Sequence, residues 1–167
     1  MSVAATPTPT QHTISILVQN ETGTSNRLVS LFRRRGFSIV CFSAGDCEQP
    51  GLSRITLVVN GTENDLQQCV RQLDKLIDVV EVEDLKPDSM VSRELALIRV
   101  RPADEDAERF TDLVKEFYAR TPRREGKEVV VEIAAETADI ERMIGALAPF
   151  NIVEIVRTGS VAMKAKG

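Results

Sequence analysis

Residues 13–36 read TISILVQNETGTSNRLVSLFRRRG, and the pattern of this stretch decides the fold. Residues 13–18 alternate apolar and polar side chains and end apolar, which is typical of a half-buried strand. A polar turn follows at 20–23. Apolar side chains then recur at helical spacing from Leu28 to Phe32, and Gly36 stands where a helix C-terminal glycine belongs. The stretch therefore predicts a strand, a tight turn and an amphipathic helix.

The rest of the first half adds two strands, a second helix and a closing strand. Residues 37–44 and 53–59 read as the two strands, and Thr62 with Asp65 forms a capping-box pattern at the start of the helix. Residues 79–82 read as the closing strand. The predicted buried stripe of the second helix comprises Leu66, Cys69, Val70, Leu73 and Ile77. The order is βαββαβ, which places two helices on one face of a four-stranded antiparallel sheet.

The second half repeats this outline after a turn-rich interruption at 86–89. Its predicted elements are strands at 95–100, 128–134 and 152–156 and helices over 110–117 and 140–147. The closing strands of the two halves read DVVEV at 78–82 and NIVEI at 151–155, which is an internal echo. Residues 121–127 are charged and turn-like, so the pattern defines no strand there.

These patterns predict an α+β protein in which a ferredoxin-like βαββαβ domain is followed by a second small α/β sandwich domain. The predicted parts are a disordered tail at 1–11, a first domain at 12–85, a linker at 86–91, a second domain at 92–163 and a tail at 164–167. Such a unit leaves one sheet face or edge short of cover, so we expect a homodimer.

Charge and composition exclude several classes of function. The formal net charge of −4 gives no strong attraction to nucleic acid or to an anionic membrane. No apolar run approaches the roughly 20 residues that span a bilayer, and residues 1–11 lack the features of a signal peptide. Cys41, Cys47 and Cys69 lack metal-ligand spacing and predict reduced thiols in the cytoplasm.

Residues for catalysis are scarce. The one histidine, His12, stands at the edge of the predicted tail, and the chain has no phosphate-binding glycine loop of either common type. The carboxylates at 104–108 open a helix, where they complement the macrodipole. Residues 35–42 resemble an RNA-recognition strand, but Ile39 stands at the stacking position and the segment falls on the second strand. We therefore expect neither an enzyme nor a nucleic-acid-binding protein.

The loop Asn20 to Thr24 is the best candidate for a binding site. Gly23 at the entry of a helix lets backbone N–H groups approach a ligand, and the helix N-terminus attracts an anion such as an amino acid's carboxylate. The side-chain carbonyl of Asn20 can accept from the ammonium group. The alternative is a simple turn in which Thr22 or Thr24 caps the helix.

Five stretches in order resemble the acetohydroxyacid (acetolactate) synthase small-subunit family. They are NETG at 20–23 with LFRRRGF at 31–37, LSRIT at 52–56, QLDKLIDVV at 72–80, REL at 93–95 and EIVRTG at 154–159. Each is weak alone, but together they cover about residues 12–163. The resemblance implies an N-terminal ACT domain and a C-terminal domain particular to the family.

The resemblance also implies a function. Family members are non-catalytic regulatory subunits that pair through their ACT domains, bind a feedback amino acid, commonly valine, at the interface, and activate a catalytic subunit. Thiamine diphosphate, Mg and FAD belong to that partner, so we expect no cofactor or metal in this chain. The alternative is a stand-alone ACT-type amino-acid sensor without a synthase partner.

Four residues are expected at the effector site. Asn20 and Gly23 match the family motif, and Thr24 beside them can add a backbone contact. After the RGF segment the family usually has Asn, which helps to hold the ligand from the partner subunit, and this chain has Ser38. Serine keeps a hydroxyl but lacks the reach and the second donor of the amide.

Overall fold

A computed structural model of the chain describes residues 10–165. The described residues form two compact units, one of residues 10–91 with 161–165 and the other of residues 92–160. Each unit contains a βαββαβ arrangement with its own hydrophobic core. The structure therefore confirms the α+β class and the repeated ferredoxin-like outline.

The first unit places two helices against one face of an antiparallel sheet. Its elements are β1 (Thr10–Gln19), α1 (Thr24–Arg35), β2 (Ser38–Asp46), β3 (Leu52–Gly61), α2 (Glu63–Leu73) and β4 (Val79–Leu85). The strand order is β2-β3-β1-β4, and β2 lies at one edge. The core includes Ile16 of β1, Phe32 of α1 and Leu73 of α2, so the strand and helix faces predicted from periodicity meet there.

The second unit follows a short 3₁₀ turn at Pro87–Ser89. Its elements are β5 (Met90–Val100), α3 (Ala107–Glu116), β6 (Arg120–Glu125), β7 (Glu128–Ala135), α4 (Thr137–Leu147) and β8 (Ile152–Lys164). The strand order β6-β7-β5-β8 repeats the order of the first sheet. Its core packs Ile98, Met143 and an edge-to-face pair of Phe110 and Phe150.

Two details of the sequence prediction are wrong. Residues 120–125 form the edge strand β6 and not only a turn, and every residue of this strand is exposed. Because neither face of β6 is buried, it carries no apolar alternation, and its charges protect the edge from pairing with another chain.

Ile77, predicted to continue the buried stripe of the second helix, is 89% exposed, because α2 ends at Leu73 and the chain turns before the next helical position.

The chain ends also differ from the predicted bounds. Thr10 and Gln11 pair with β3 and so belong to β1, whereas residues 1–9 of the predicted tail lie outside the described residues. At the other end, Lys164 closes β8 and residues 166–167 are outside the described part. Residues 161–165 group with the first unit and not with the second.

Residues 161–165, which belong to the first unit although they follow the second unit in the chain, contact the first sheet. The backbone N–H of Ala162 donates to Oγ1 of Thr56 at 3.1 Å, and that of Ala165 donates to the carbonyl of Ser89 at 2.8 Å. Thr56 and Ser15 are buried although they point away from the helices. That sheet face is therefore covered around Thr56, and the strands at the sheet edges, β2 and β4, are the ones that another copy can extend.

Within residues 10–165, no helix combines the length and apolar character needed to cross a membrane.

Candidate functional site

The turn from β1 into α1 leaves backbone donors open to a ligand. Gly23 has φ 92°, a left-handed conformation in which a side chain is strained, and it precedes the first helical residue. The N–H of Thr24 donates to the carbonyl of Glu21 at 3.2 Å, and that of Arg27 to the carbonyl of Gly23 at 2.9 Å. The N–H groups of Ser25 and Asn26 have no partner among the described residues. An anion at this helix end would satisfy both of them.

Thr24 is part of the support of this turn. Its side chain is buried, and its hydroxyl donates to the carbonyl of Gln19 at 3.2 Å. Nη2 of Arg27 donates to the same hydroxyl oxygen at 3.3 Å, while Nε of Arg27 pairs with the buried Asp78, which immediately precedes β4. The hydroxyl of Thr24 is therefore used inside the protein, and the Arg27–Asp78 pair ties the first turn of α1 to β4.

Asn20 lies at the rim of a cleft of about 230 Å³. Its backbone N–H donates to the carbonyl of Gly51 at 2.9 Å, and its side-chain Nδ2 donates to Oδ1 of Asp46 at 3.3 Å. This second bond leaves the side-chain carbonyl of Asn20 available as an acceptor. Ser25, whose backbone N–H is open, also lines the cleft.

The lining of the cleft combines acidic and apolar residues. Glu21 and Asp46 contribute carboxylates, and no basic side chain is among its lining residues in the described part of the chain. Val18, Ala44 and Ile55 supply apolar surface. The positive end of the α1 macrodipole is therefore the only cationic feature of the lining within residues 10–165.

Asp46 and Ser25 were missed by the sequence reasoning. Asp46 ends β2, and β2 reaches β1 only through the intervening strand β3, where Asp46 pairs with Ser53. No local pattern marks that meeting, because it depends on the register of two strand pairs. The position of Ser25 follows from the helix beginning at Thr24, so the turn at Gly23 is the signal that could have indicated it.

Ser38 lies away from the other three predicted site residues in one chain. It begins β2 and pairs with Asn60, whereas Asp46 ends the same strand. At about 3.3 Å per residue the two ends of β2 are about 26 Å apart. The structure therefore brings Asn20, Gly23 and Thr24 together and leaves Ser38 at the opposite end of the strand.

The equivalent cleft of the second unit is much smaller. The space between the start of α3 and the β6–β7 hairpin has a volume of about 80 Å³. Lys127 and Asp104 line it and form an ion pair at 3.4 Å. The second unit therefore has the same fold as the first but no open cleft of comparable size at this position among the described residues.

Two signature segments of the second half meet in one ion-pair network. The Glu94 side chain is 4% exposed and accepts from Nε of Arg157 at 2.6 Å, Nη2 of Arg157 at 3.0 Å and Oγ1 of Thr137 at 3.1 Å. Nη1 of Arg157 also pairs with Glu141 at 2.5 Å. Hydrogen bonds from Arg157 lower the pKa of Glu94, and those to Glu94 raise the pKa of Arg157. This network fixes β5, β8 and α4 to one another.

The histidine and the three cysteines are not among the residues that line the cleft at the β1–α1 turn. Nε2 of His12 lies 3.2 Å from the carbonyl of Gly61 in the β1–β3 pair. The three cysteines form no disulfide, and burial raises the pKa of Cys69 to about 12. In the described part of the chain, no group of three or more His, Cys, Asp or Glu side chains is placed to hold a metal ion.

Comparison with known proteins assigns both halves of the chain. Residues 14–81 match the model of the AHAS small subunit-like ACT domain, and residues 93–166 match that of the small subunit of acetolactate synthase. The acetolactate synthase small subunit of Bacillus subtilis is 39% identical over 150 residues, covering 89% of this chain and 87% of the relative. That of Mycobacterium leprae is 38% identical over 152 residues, with 91% and 90% coverage.

A solved structure agrees. The crystal structure of the acetolactate synthase small subunit from Thermotoga maritima superposes with a TM-score of 0.89 at 36% identity, covering 95% of this chain and 99% of that one. Matches to both halves, at this identity and coverage, establish that the chain belongs to the acetolactate synthase small-subunit family.

Proposed function

We propose that this chain is the regulatory subunit of an acetolactate (acetohydroxyacid) synthase, which binds valine as a feedback effector at an ACT dimer interface and activates the catalytic subunit. The observation that carries the effector site is the cleft at the β1–α1 turn. Its lining includes Ser25, whose backbone N–H is open, and Asn20, whose side-chain carbonyl can accept a hydrogen bond.

This arrangement suits a zwitterion. The carboxylate of an amino acid would accept from the N–H groups of Ser25 and Asn26, with the helix macrodipole favouring its charge. The ammonium group would donate to the side-chain carbonyl of Asn20. The apolar residues Val18 and Ile55 line the same cleft, whose volume of about 230 Å³ suits a small branched side chain.

The edge strand β2 supports completion of the site by a second copy. If two β2 strands pair antiparallel about a two-fold axis at Phe42, the midpoint of the strand, residue 38 of one chain stands opposite residue 46 of the other. Ser38 of the partner subunit then reaches the Asp46 end of β2, next to Asn20. In such a dimer Ser38 of the partner subunit lies near the cleft, although Ser38 of the same chain is about 26 Å away from it.

The catalytic subunit is the partner that the family implies. We place thiamine diphosphate, Mg and FAD in that subunit and the assembled synthase in the cytoplasm. A stand-alone amino-acid sensor is the less favoured alternative, because the family match extends through the second unit to residue 166 and not over the ACT domain alone.

The experiment is reconstitution with the cognate catalytic subunit. Acetolactate formation should rise on mixing, a complex should elute earlier on gel filtration, and valine should reverse part of the gain. Leucine and isoleucine are tested beside valine to identify the effector. A mixture that shows neither a complex nor a gain in activity contradicts the regulatory role, and valine binding without a complex would favour the stand-alone sensor.

A further inference from the structure

Asp46 lines the cleft beside Asn20, and none of the ligand contacts proposed for the effector site involves its carboxylate. It ends β2 at the rim of the cleft, and its Oδ1 accepts from Nδ2 of Asn20 at 3.3 Å. Its Oδ2 has no hydrogen-bond partner among residues 10–165, and no cation pairs with the carboxylate there. The carboxylate therefore keeps acceptor capacity beside the carbonyl oxygen that Asn20 presents.

We propose that the Asp46 carboxylate binds the ammonium group of the effector directly and makes the cleft select amino acids over the 2-oxo acids with the same carbon skeleton. The inference rests on the proposed function, since it concerns the same ligand. It adds a residue and a criterion of selection that Asn20 and Gly23 do not provide.

The charge of the cleft carries the selectivity. A ligand held by its carboxylate at Ser25 and Asn26 shares the cleft with the side chains of Glu21 and Asp46, and the described lining contains no basic side chain. An amino acid brings an ammonium group that offsets these carboxylates. A 2-oxo acid brings only negative charge, so like-charge repulsion and an unpaired acceptor oppose its binding.

The apolar wall cannot make this distinction. Valine and 3-methyl-2-oxobutanoate have the same branched side chain and the same carboxylate, so the apolar lining residues Val18 and Ile55 do not distinguish them. They differ at the carbon beside the carboxylate, where one carries an ammonium group and the other a carbonyl oxygen. Strong discrimination between such close analogues requires a polar partner at the group that differs.

Asp46→Asn tests the charge with little change of shape. Asparagine keeps an oxygen that accepts from Asn20, so the position of Asn20 is retained while the charge is lost. The control is Glu48→Gln, which removes a carboxylate from the same β2–β3 hairpin where it pairs with Arg54 at 3.2 Å, outside the cleft lining. Binding of valine and of 3-methyl-2-oxobutanoate to the full chain is measured by calorimetry, and thermal unfolding checks the fold.

We expect Asp46→Asn to weaken valine binding by about ten- to a hundredfold, the range for a hydrogen bond to a charged group. Binding of the 2-oxo acid should stay equal or strengthen, and Glu48→Gln should match the wild type. Valine affinity unchanged in Asp46→Asn overturns the direct contact. Loss of binding in Asp46→Ala but not in Asp46→Asn also overturns it, because Asp46 would then act only by holding Asn20.

The outcome for the wild type separates this inference from the proposed function. If the wild-type chain binds none of valine, leucine and isoleucine, the effector role and the role of Asp46 both fail. If it binds one of them and Asp46→Asn binds it equally well, the effector role stands and the role of Asp46 alone fails.

Discussion

Replacing Glu94 with glutamine is expected to lower the free energy of unfolding of the second unit by about 2–3 kcal/mol at pH 7. The Glu94 side chain is 4% exposed and holds two nitrogens of Arg157 together with the hydroxyl of Thr137. Glutamine has about the same size but only one acceptor oxygen and no charge. The change therefore leaves part of the Arg157 guanidinium without its buried counter-ion.

The magnitude follows from the exposure of the partner. Removing one member of a fully buried ion pair costs about 3–5 kcal/mol. Arg157 is 30% exposed and keeps Glu141 at 2.5 Å, and glutamine retains one acceptor, so the expected cost falls below that range. The matched control is Glu154→Gln, which removes a carboxylate that pairs with Arg99 at 3.2 Å and is 55% exposed. An exposed pair of this kind contributes about 0–1 kcal/mol.

The assay is urea unfolding followed by circular dichroism at several pH values. Because the folded-state pKa of Glu94 is lowered, mainly by hydrogen bonds from Arg157, its stabilisation is fully present well above the unfolded-state pKa of about 4.3. The stabilisation is lost as the pH falls below that value through the folded-state pKa. The difference between wild type and Glu94→Gln should therefore narrow near pH 4. The reasoning is refuted if Glu94→Gln costs no more than Glu154→Gln at pH 7.

Three further predictions concern the effector site and the end of α2. Gly23→Asp should weaken valine binding at least tenfold by calorimetry, because its carboxylate, beside the Arg27 guanidinium at the start of α1, competes with that of the ligand for the positive end of the helix. The control Gly23→Ala carries the strain at φ 92°, about 1–2 kcal/mol, without the charge. Equal affinity in Gly23→Asp and the wild type would remove Gly23 from the site. Ser38→Asn should tighten valine binding in the dimer by restoring the reach of an amide, and an identical affinity would place Ser38 away from the ligand. Ile77→Ser should change the free energy of unfolding by less than about 0.5 kcal/mol, because the Ile77 side chain is exposed. The control Leu73→Ala, at a fully buried position, should lower the free energy of unfolding by about 2–5 kcal/mol. Equal losses for the two variants in urea unfolding would contradict the exposure of Ile77.

Much of the fold follows from the sequence because its elements carry their own periodicity. The alternation at 13–18, the helical spacing up to Gly36 and the capping box at Thr62 each mark an element that the structure contains. The capping box is complete, since the Thr62 hydroxyl accepts from the N–H of Asp65 and the Asp65 carboxylate accepts from the N–H of Thr62. These signals act over one or two turns of chain and need no tertiary contact.

The same local reasoning fails where burial is decided elsewhere. Strand β6 has no buried face, so no alternation announces it, and it forms because β7 offers hydrogen-bond partners. Ile77 continues the spacing of α2 in the sequence, but the helix has already ended. A pattern of apolar residues indicates which face an element would bury and not whether the chain stays helical long enough to bury it.

The candidate site divides in the same way. By itself the sequence determined the family, the βαββαβ repeat and the turn at Asn20 to Gly23, because each can be recognised from short runs of adjacent residues. Only the tertiary structure placed Asp46 beside Asn20, since their contact depends on the registers of β2 with β3 and of β3 with β1. It also placed Ser38 at the far end of β2. The turn between β2 and β3 sets the register of that hairpin, but the pairing of β3 with β1 joins Ser53 to the distant Val18. One residue of slip there would turn every side chain of the strand to the other face, and the order of adjacent residues does not show which strand β3 pairs with.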